Sequence, residues 1–281
     1  MKFLRKLARI AGIALLTAVI FLSACQSKLM YYPRPYDAAV LKMLEHEGGQ
    51  RIETRTSQGR QVAFYLPTKG KPFPQQPEFI WLVFGGNGSL VLEYTMETPR
   101  WDARFAYLFI DYPGYGLCEG SPNPARIEES IVALVGVLQN ELHWSDAELR
   151  ARAGVFGHSL GCAAGLIAAD RLQLQRGVLC APFTTMTDMA RRVIGWPLCY
   201  LNRHRYDNIA RLQMLSSRNF QCRIFHGSAD TAIPAAMGRK LGEMFPQNAR
   251  FTEVSGSDHN TVVSDAVLEI GGAMSVLSGL R

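Results

Sequence analysis

The segment Ala153-Gly-Val-Phe-Gly-His-Ser-Leu-Gly-Cys-Ala-Ala-Gly-Leu166 carries three signals in succession. Gly154-Val155-Phe156 is a short apolar run, as in a strand buried on both faces. Gly157-His158-Ser159-Leu160-Gly161 follows without a break, and a small-residue segment with helical character begins at once. Strand, G-x-S-x-G and helix in that order describe a nucleophile elbow, a sharp turn that lifts a serine hydroxyl above the end of a sheet. Such a turn is strained, and glycines are expected at 157 and 161, where a Cβ would strike neighbouring backbone. Ala163, Ala164, Gly165 and Ala168 let the helix lie close to the sheet. Ser159 is the candidate nucleophile. A glycine-rich turn that only packs is the alternative.

A serine hydroxyl attacks carbonyls only when a base takes its proton and an acid holds that base in one tautomer. On a sheet of this kind the partners follow in the order Ser, acid, His, each on a loop after a strand. Cys222–His226 reads as a strand leading to Asp230, and Arg250–Val254 as a strand leading to His259 with one helix remaining. Asp230 and His259 are therefore the candidate acid and base, with Asp188 as the second choice of acid. Asp258 adjoins the histidine. His158 lies inside the elbow and is expected to point away from the nucleophile, while His46, His143 and His204 sit in polar settings. The oxyanion hole requires two backbone N–H groups. Leu160, after the nucleophile, supplies one, and Gly86 or Asn87, after the apolar run Phe79–Phe84, the other.

The remaining pattern places these loops. Arg51–Thr56 and Arg60–Leu66 flank Ser57-Gln58-Gly59 as a hairpin. Phe79–Phe84 and Ala106–Ile110 read as buried strands, Pro124–Trp144 as an amphipathic helix, and Arg176–Cys180 as a further strand. Residues 184–218, with short helical pieces and six arginines, form a candidate cap. Pro234–Phe245 and Thr261–Leu280 complete the helices. Strands alternating with helices predict an α/β fold with a mostly parallel, doubly wound sheet.

The chain has 281 residues, enough for one large domain, and a net charge of +6. Lys2, Arg5, Lys6 and Arg9 precede residue 25 with no acid among them, so the rest carries only +2 (six minus four). A nucleic-acid partner is not indicated. Met1–Arg9 is a basic region and Ile10–Leu22 an apolar run of secretory length. Leu22-Ser23-Ala24-Cys25 closes it and resembles the lipobox of bacterial lipoproteins. That resemblance implies removal of residues 1–24, lipidation of Cys25, and a tether over 25–50 ahead of the body at 51–281. Gln26 after the cysteine implies the outer membrane, with the protein facing the periplasm. Cys118, Cys162, Cys180, Cys199 and Cys222 show no C-x-x-C pair, so no zinc site is indicated, and sequence alone does not settle whether any of them pair.

Several motifs together resemble the α/β-hydrolase superfamily and, within it, a Bem46-like branch. They are Phe84-Gly-Gly-Asn-Gly88, Asp111-Tyr-Pro-Gly-Tyr-Gly116 with Gly120-Ser-Pro122, Gly157-His-Ser-Leu-Gly161, Tyr206-Asp-Asn-Ile209, His226-Gly-Ser-Ala-Asp230 and Asp258-His-Asn260. The resemblance implies an eight-stranded α/β-hydrolase sheet and a Ser159–His259–Asp230 triad. The branch usually has His-Gly-Asn at the oxyanion loop, and Gly85 replaces that histidine here. The combined reading is a lipid-anchored serine hydrolase acting on a carboxylic ester or acyl-lipid, with no metal or nucleotide cofactor implied. A thioesterase, a peptidase or a non-catalytic binding lipoprotein on the same scaffold are its competitors.

Overall fold

The computed structural model describes residues 2–280; several side chains of the first helix, that of Cys25 among them, lie outside the described residues. In chain order the elements are α1 (Lys2–Met30), α2 (Ala38–His46), β1 (Gln50–Thr56), β2 (Gly59–Leu66), β3 (Phe79–Phe84), β4 (Phe105–Ile110), α3 (Pro124–Leu142), α4 (Asp146–Arg152), β5 (Ala153–His158), α5 (Leu160–Arg171), β6 (Arg176–Cys180), α6 (Met186–Ile194), α7 (Asn208–Ser216), β7 (Gln221–Gly227), α8 (Ala235–Met244), β8 (Ala249–Val254), α9 (Val262–Asp265) and α10 (Val267–Ser278). The strands make one eight-stranded sheet in the order β1-β2-β4-β3-β5-β6-β7-β8. β2 is antiparallel to β1 and β4, and every pairing from β4 onward is parallel. This is the fold that the sequence predicts.

The period-2 geometry of a strand explains why β3 and β4 carry unbroken apolar runs. Ile80, Leu82 and Phe84 join Ala106, Leu108 and Ile110 in a core that includes Ile131 and Leu134 of α3 and Leu212 of α7. Phe79, Trp81 and Val83 join Phe105, Tyr107 and Phe109 in a second core with Leu44 of α2 and Ile270 of α10. Each such side chain contributes about 1.5–3 kcal/mol on burial, so both faces hold these strands at the centre.

Helix ends differ from the sequence reading for local reasons. α3 stops at Leu142 rather than Trp144 because His143 takes the left-handed conformation, φ 54°. Ser145 and Glu148 then form a capping box that starts α4, an element the expectation lacked. The closing helix is split at Ala266 into α9 and α10; Asp265 at the end of α9 accepts the Ser257 hydroxyl at 2.7 Å, tying that turn to the preceding loop. The cap is smaller than residues 184–218. Leu212 and Leu215 bury α7 in the sheet-flanking layer, and Arg211 and Arg218 pair with Asp170 of α5. What remains outside is α6 and the 3-10 turn Leu198–Leu201.

The segment after residue 25 is no loose tether. α1 runs on to Met30, and Tyr31 is buried, its hydroxyl 2.8 Å from that of Tyr206. Among the described residues no helix is long and apolar enough to cross a membrane. Cys118, Cys162, Cys180, Cys199 and Cys222 are free and buried.

Candidate active site

β5 delivers Ser159 into the first turn of α5 at φ 56°, ψ −118°, a backbone state that L-residues avoid. Its N–H donates to Cys180 O of β6 at 2.8 Å. Neither flanking glycine leaves room for a side chain: a Cβ on Gly157 would lie 2.7 Å from Cys162 N, and one on Gly161 2.8 Å from Gly85 O. The sharp turn therefore needs both glycines.

β7 and β8 bring the other two candidates to the same end of the sheet. His259 Nε2 lies 3.0 Å from Ser159 Oγ, and His259 Nδ1 lies 2.7 Å from Asp230 Oδ2. With Nδ1–H donating to the carboxylate, Nε2 is free to accept from the serine hydroxyl. Asp230 Oδ1 accepts from Ala232 N at 2.9 Å and Ile233 N at 2.8 Å. Burial pushes the Asp230 pKa upward, but donation from His226, His259 and the Ile233 backbone outweighs it and holds the carboxyl well below the usual carboxylate range. Asp188 instead accepts from Thr184 Oγ1 at 2.7 Å, and Asp258 from Asn260 N and Thr261 N in its own turn. Neither makes a hydrogen bond to His259.

Two further histidines belong to the arrangement. His158 does not point away. Its ring centroid is 5.0 Å from that of His259, its Nε2–H donates to His259 O at 2.8 Å, and its Nδ1 accepts from Tyr94 OH at 2.8 Å. Burial is the main cause that pushes its pKa down to about 4, so it clamps the His259 loop as a neutral ring. His226, fully buried in β7, donates from Nε2 to Ile233 O at 2.8 Å and lies 3.3 Å from Asp230 Oδ2. The only sequence signal for either was its place beside a motif residue.

The candidate oxyanion loop, Gly85–Asn87, is held by the tyrosines of Asp111-Tyr-Pro-Gly-Tyr-Gly116. Tyr112 OH donates to Gly85 O, and Tyr115 OH to Asn87 O, both at 2.6 Å. Tyr32 N also donates to Asn87 O at 2.9 Å, and Asn87 Nδ2 donates to Met30 O at 3.0 Å. Met30 at the end of α1 and Tyr32 after it thus fasten the Gly85–Asn87 loop. Gly86 lies against Ser159, since a Cβ there would be 3.5 Å from Ser159 Cβ. Leu160 opens α5, where N–H groups have no partner within the helix.

A cavity of about 390 Å³ opens beside Ser159 and His259. Met186, Met189, Ala190, Val193 and Ile194 line one wall at the spacing of a single helical face, yet no residue of α6 is buried. Opposite stand Leu29, Met30 and Phe183, and none of the lining residues is Asp, Glu, Lys or Arg. A larger hollow of about 670 Å³, lined by Arg223, Arg239 and Phe251 among others, reaches the N-terminal ends of β7 and β8. It contains none of the three candidates, and sites in parallel sheets form at the strands' C-terminal ends. Among the described residues no group of three His, Cys, Asp or Glu side chains is placed to hold a metal.

A profile of the alpha/beta hydrolase family matches residues 84–253. An uncharacterized protein of Mycobacterium tuberculosis is 25% identical over 269 residues, covering 92% of this chain and 90% of its own length. The uncharacterized protein YfhR of Escherichia coli is 21% identical over 244 residues, covering 84% and 78%. Among solved structures, an esterase of Pyrococcus furiosus superposes with a TM-score of 0.66 at 14% identity over 89% of this chain and 99% of that one. An alpha-beta hydrolase of Vibrio vulnificus gives 0.64 at 17% identity, covering 88% of each chain.

Proposed function

The chain belongs to the alpha/beta hydrolase family, and from that premise we propose that it is a serine hydrolase cleaving esters of apolar acyl groups. The observation that carries this reading is the continuous hydrogen-bond chain Asp230–His259–Ser159, ending on a strained serine beside a cavity without charged walls. His259 takes the Ser159 proton as Oγ bonds to the ester carbonyl carbon. The oxyanion accepts from Leu160 N–H and from a second backbone N–H in the loop after β3, that of Gly86 or Asn87. Collapse breaks the carbon–oxygen bond to the alcohol, and His259 returns the proton to the departing oxygen. Water then attacks the acyl-enzyme, His259 takes its proton, and the acid leaves as Oγ regains a proton. At about 390 Å³ the cavity is at the small end of ligand sites, which suits one acyl chain of medium length.

The same reading places the protein in the cell envelope, lipid-anchored through Cys25 at the outer membrane. The basic region, apolar run and Leu-Ser-Ala-Cys tetrad support it. Gln26, the next residue, bonds Leu201 O and Arg203 N at 2.7 Å each, so an anchor at 25 would hold the cap side toward the bilayer.

The test is labelling with a fluorophosphonate probe beside Ser159→Ala and His259→Ala. Labelling of the wild type that both variants lose is expected; no labelling of folded wild type, with no ester turnover, overturns the hydrolase reading. Cys25→Ala is expected to leave the membrane fraction.

A further inference from the structure

The cap carries an apolar surface that none of the described residues buries, and it adjoins the cavity. Val193 is 80% exposed, Trp196 75%, and Tyr200 and Leu29 54% each. Val193 and Leu29 also line the cavity, so its wall continues onto this outer surface. Isolated exposed apolar residues need no explanation, but four grouped on α6, the turn after it and the adjoining end of α1 do.

The charges beside them are of one sign. Arg191, Arg192, Arg203, Arg205 and Lys28 are exposed there. Arg191 lies over the Tyr200 ring and donates to its hydroxyl at 3.1 Å. Two acids share the stretch, and both are spent locally: Asp188 accepts from Thr184 and lies 3.9 Å from Arg191, and Asp207 caps α7. Exposed tryptophan and tyrosine flanked by arginine is the composition that settles at the interface of an anionic bilayer, where rings sit at headgroup depth and guanidinium groups meet phosphates.

We propose that the cap rim, Leu29, Val193, Trp196 and Tyr200 with Arg191 and Arg192, docks on a bilayer bearing anionic headgroups, so that an acyl-lipid passes from the membrane into the cavity without crossing water. The proposal deepens the esterase reading and rests on it for the substrate. The docking itself is measurable without turnover. It also accounts for α6, whose apolar stripe is only partly buried: a lipid chain in the cavity would cover the rest.

Trp196 provides the assay. The other tryptophans, Trp81, Trp101 and Trp144, are buried, so quenching by brominated acyl chains reports Trp196. The full chain, wild type and Ser159→Ala, is mixed with brominated phosphatidylglycerol–phosphatidylethanolamine vesicles and with zwitterionic brominated vesicles. Quenching on the anionic vesicles in both proteins is expected, reduced by salt and absent in Trp196→Phe. Protein that sediments with the vesicles while Trp196 stays unquenched overturns the docking, as does a dimer in which Trp196 is shielded before vesicles are added. Arg192→Glu is expected to lower turnover of a vesicle-embedded ester about fivefold or more, with hydrolysis of a water-soluble short-chain ester unchanged. An equal fall on both substrates overturns the proposal. Quenching in both proteins alongside absent probe labelling of the folded wild type would leave docking intact and sink the esterase reading.

Discussion

Replacing His158 by glutamine should remove one identifiable component of the protein's acid sensitivity. Burial between Tyr94 and His259 holds the His158 pKa at about 4, against about 6.5 in an unfolded chain. The folded value lies below the unfolded one, so on acidification the unfolded chain takes up a proton that the native state refuses. Stability present above about pH 6.5 is therefore lost as the pH falls toward 4 and is constant below that. A difference of about 2.5 units at about 1.36 kcal/mol each gives about 3 kcal/mol. Asp111 works in the opposite direction. Burial outweighs donation from Tyr36 and the Val91 backbone and pushes its carboxyl to about 6. Its native state thus takes up a proton before the unfolded chain does, gaining a similar amount as the pH falls from 6 to about 4. In the wild type the two effects oppose each other, so its pH profile alone does not isolate the histidine. The difference between wild type and His158→Gln isolates the histidine, because Asp111 is common to both. Urea unfolding followed by circular dichroism at about pH 7.5, 6, 5 and 4 should show that difference shifting by about 3 kcal/mol in the variant's favour. A difference that stays flat would refute the buried neutral ring and the clamp built on it.

Asp230→Asn presents an amide that neither steadies the imidazolium nor enforces the Nδ1–H tautomer; kcat on a chromogenic ester should fall about 10³–10⁴-fold, and a loss under tenfold would remove Asp230 from the mechanism. Gly161→Ala places a methyl against Phe84 O and Gly85 O, backbone atoms that cannot swing aside. A cost of about 3 kcal/mol or more should appear as a lower thermal midpoint or insoluble protein, and wild-type stability would contradict the packing. Met189→Trp fills part of the cavity wall. The ratio of kcat/KM for long over short acyl esters should drop about tenfold or more, and an unchanged ratio would place the acyl chain elsewhere.

Much of the fold was legible because it rests on local rules. The unbroken runs at Phe79–Phe84 and Ala106–Ile110 announce strands buried on both faces, and the elbow glycines announce a turn that tolerates no Cβ. The α4 capping box was legible too, in Ser145-Asp-Ala-Glu148, although the amphipathic pattern before it hid the break. α7 was harder. Its arginines look like a solvated cap until Asp170, far off in sequence, is seen to pair with Arg211 and Arg218.

The sequence by itself determined the chemistry available at each strand end: a serine that must sit in a strained turn, then an aspartate and a histidine in order on later loops. Spacing and residue type suffice for that, because each depends on a few consecutive residues. Only the tertiary structure decided how those ends meet and what fixes them. His158 holding the His259 carbonyl, the tyrosines of Asp111-Tyr-Pro-Gly-Tyr-Gly116 pinning the Gly85–Asn87 loop, and Met30 and Tyr32 closing over Asn87 join residues tens of positions apart. Such contacts leave no period or motif in the chain, since their geometry exists only once the sheet has brought the loops together.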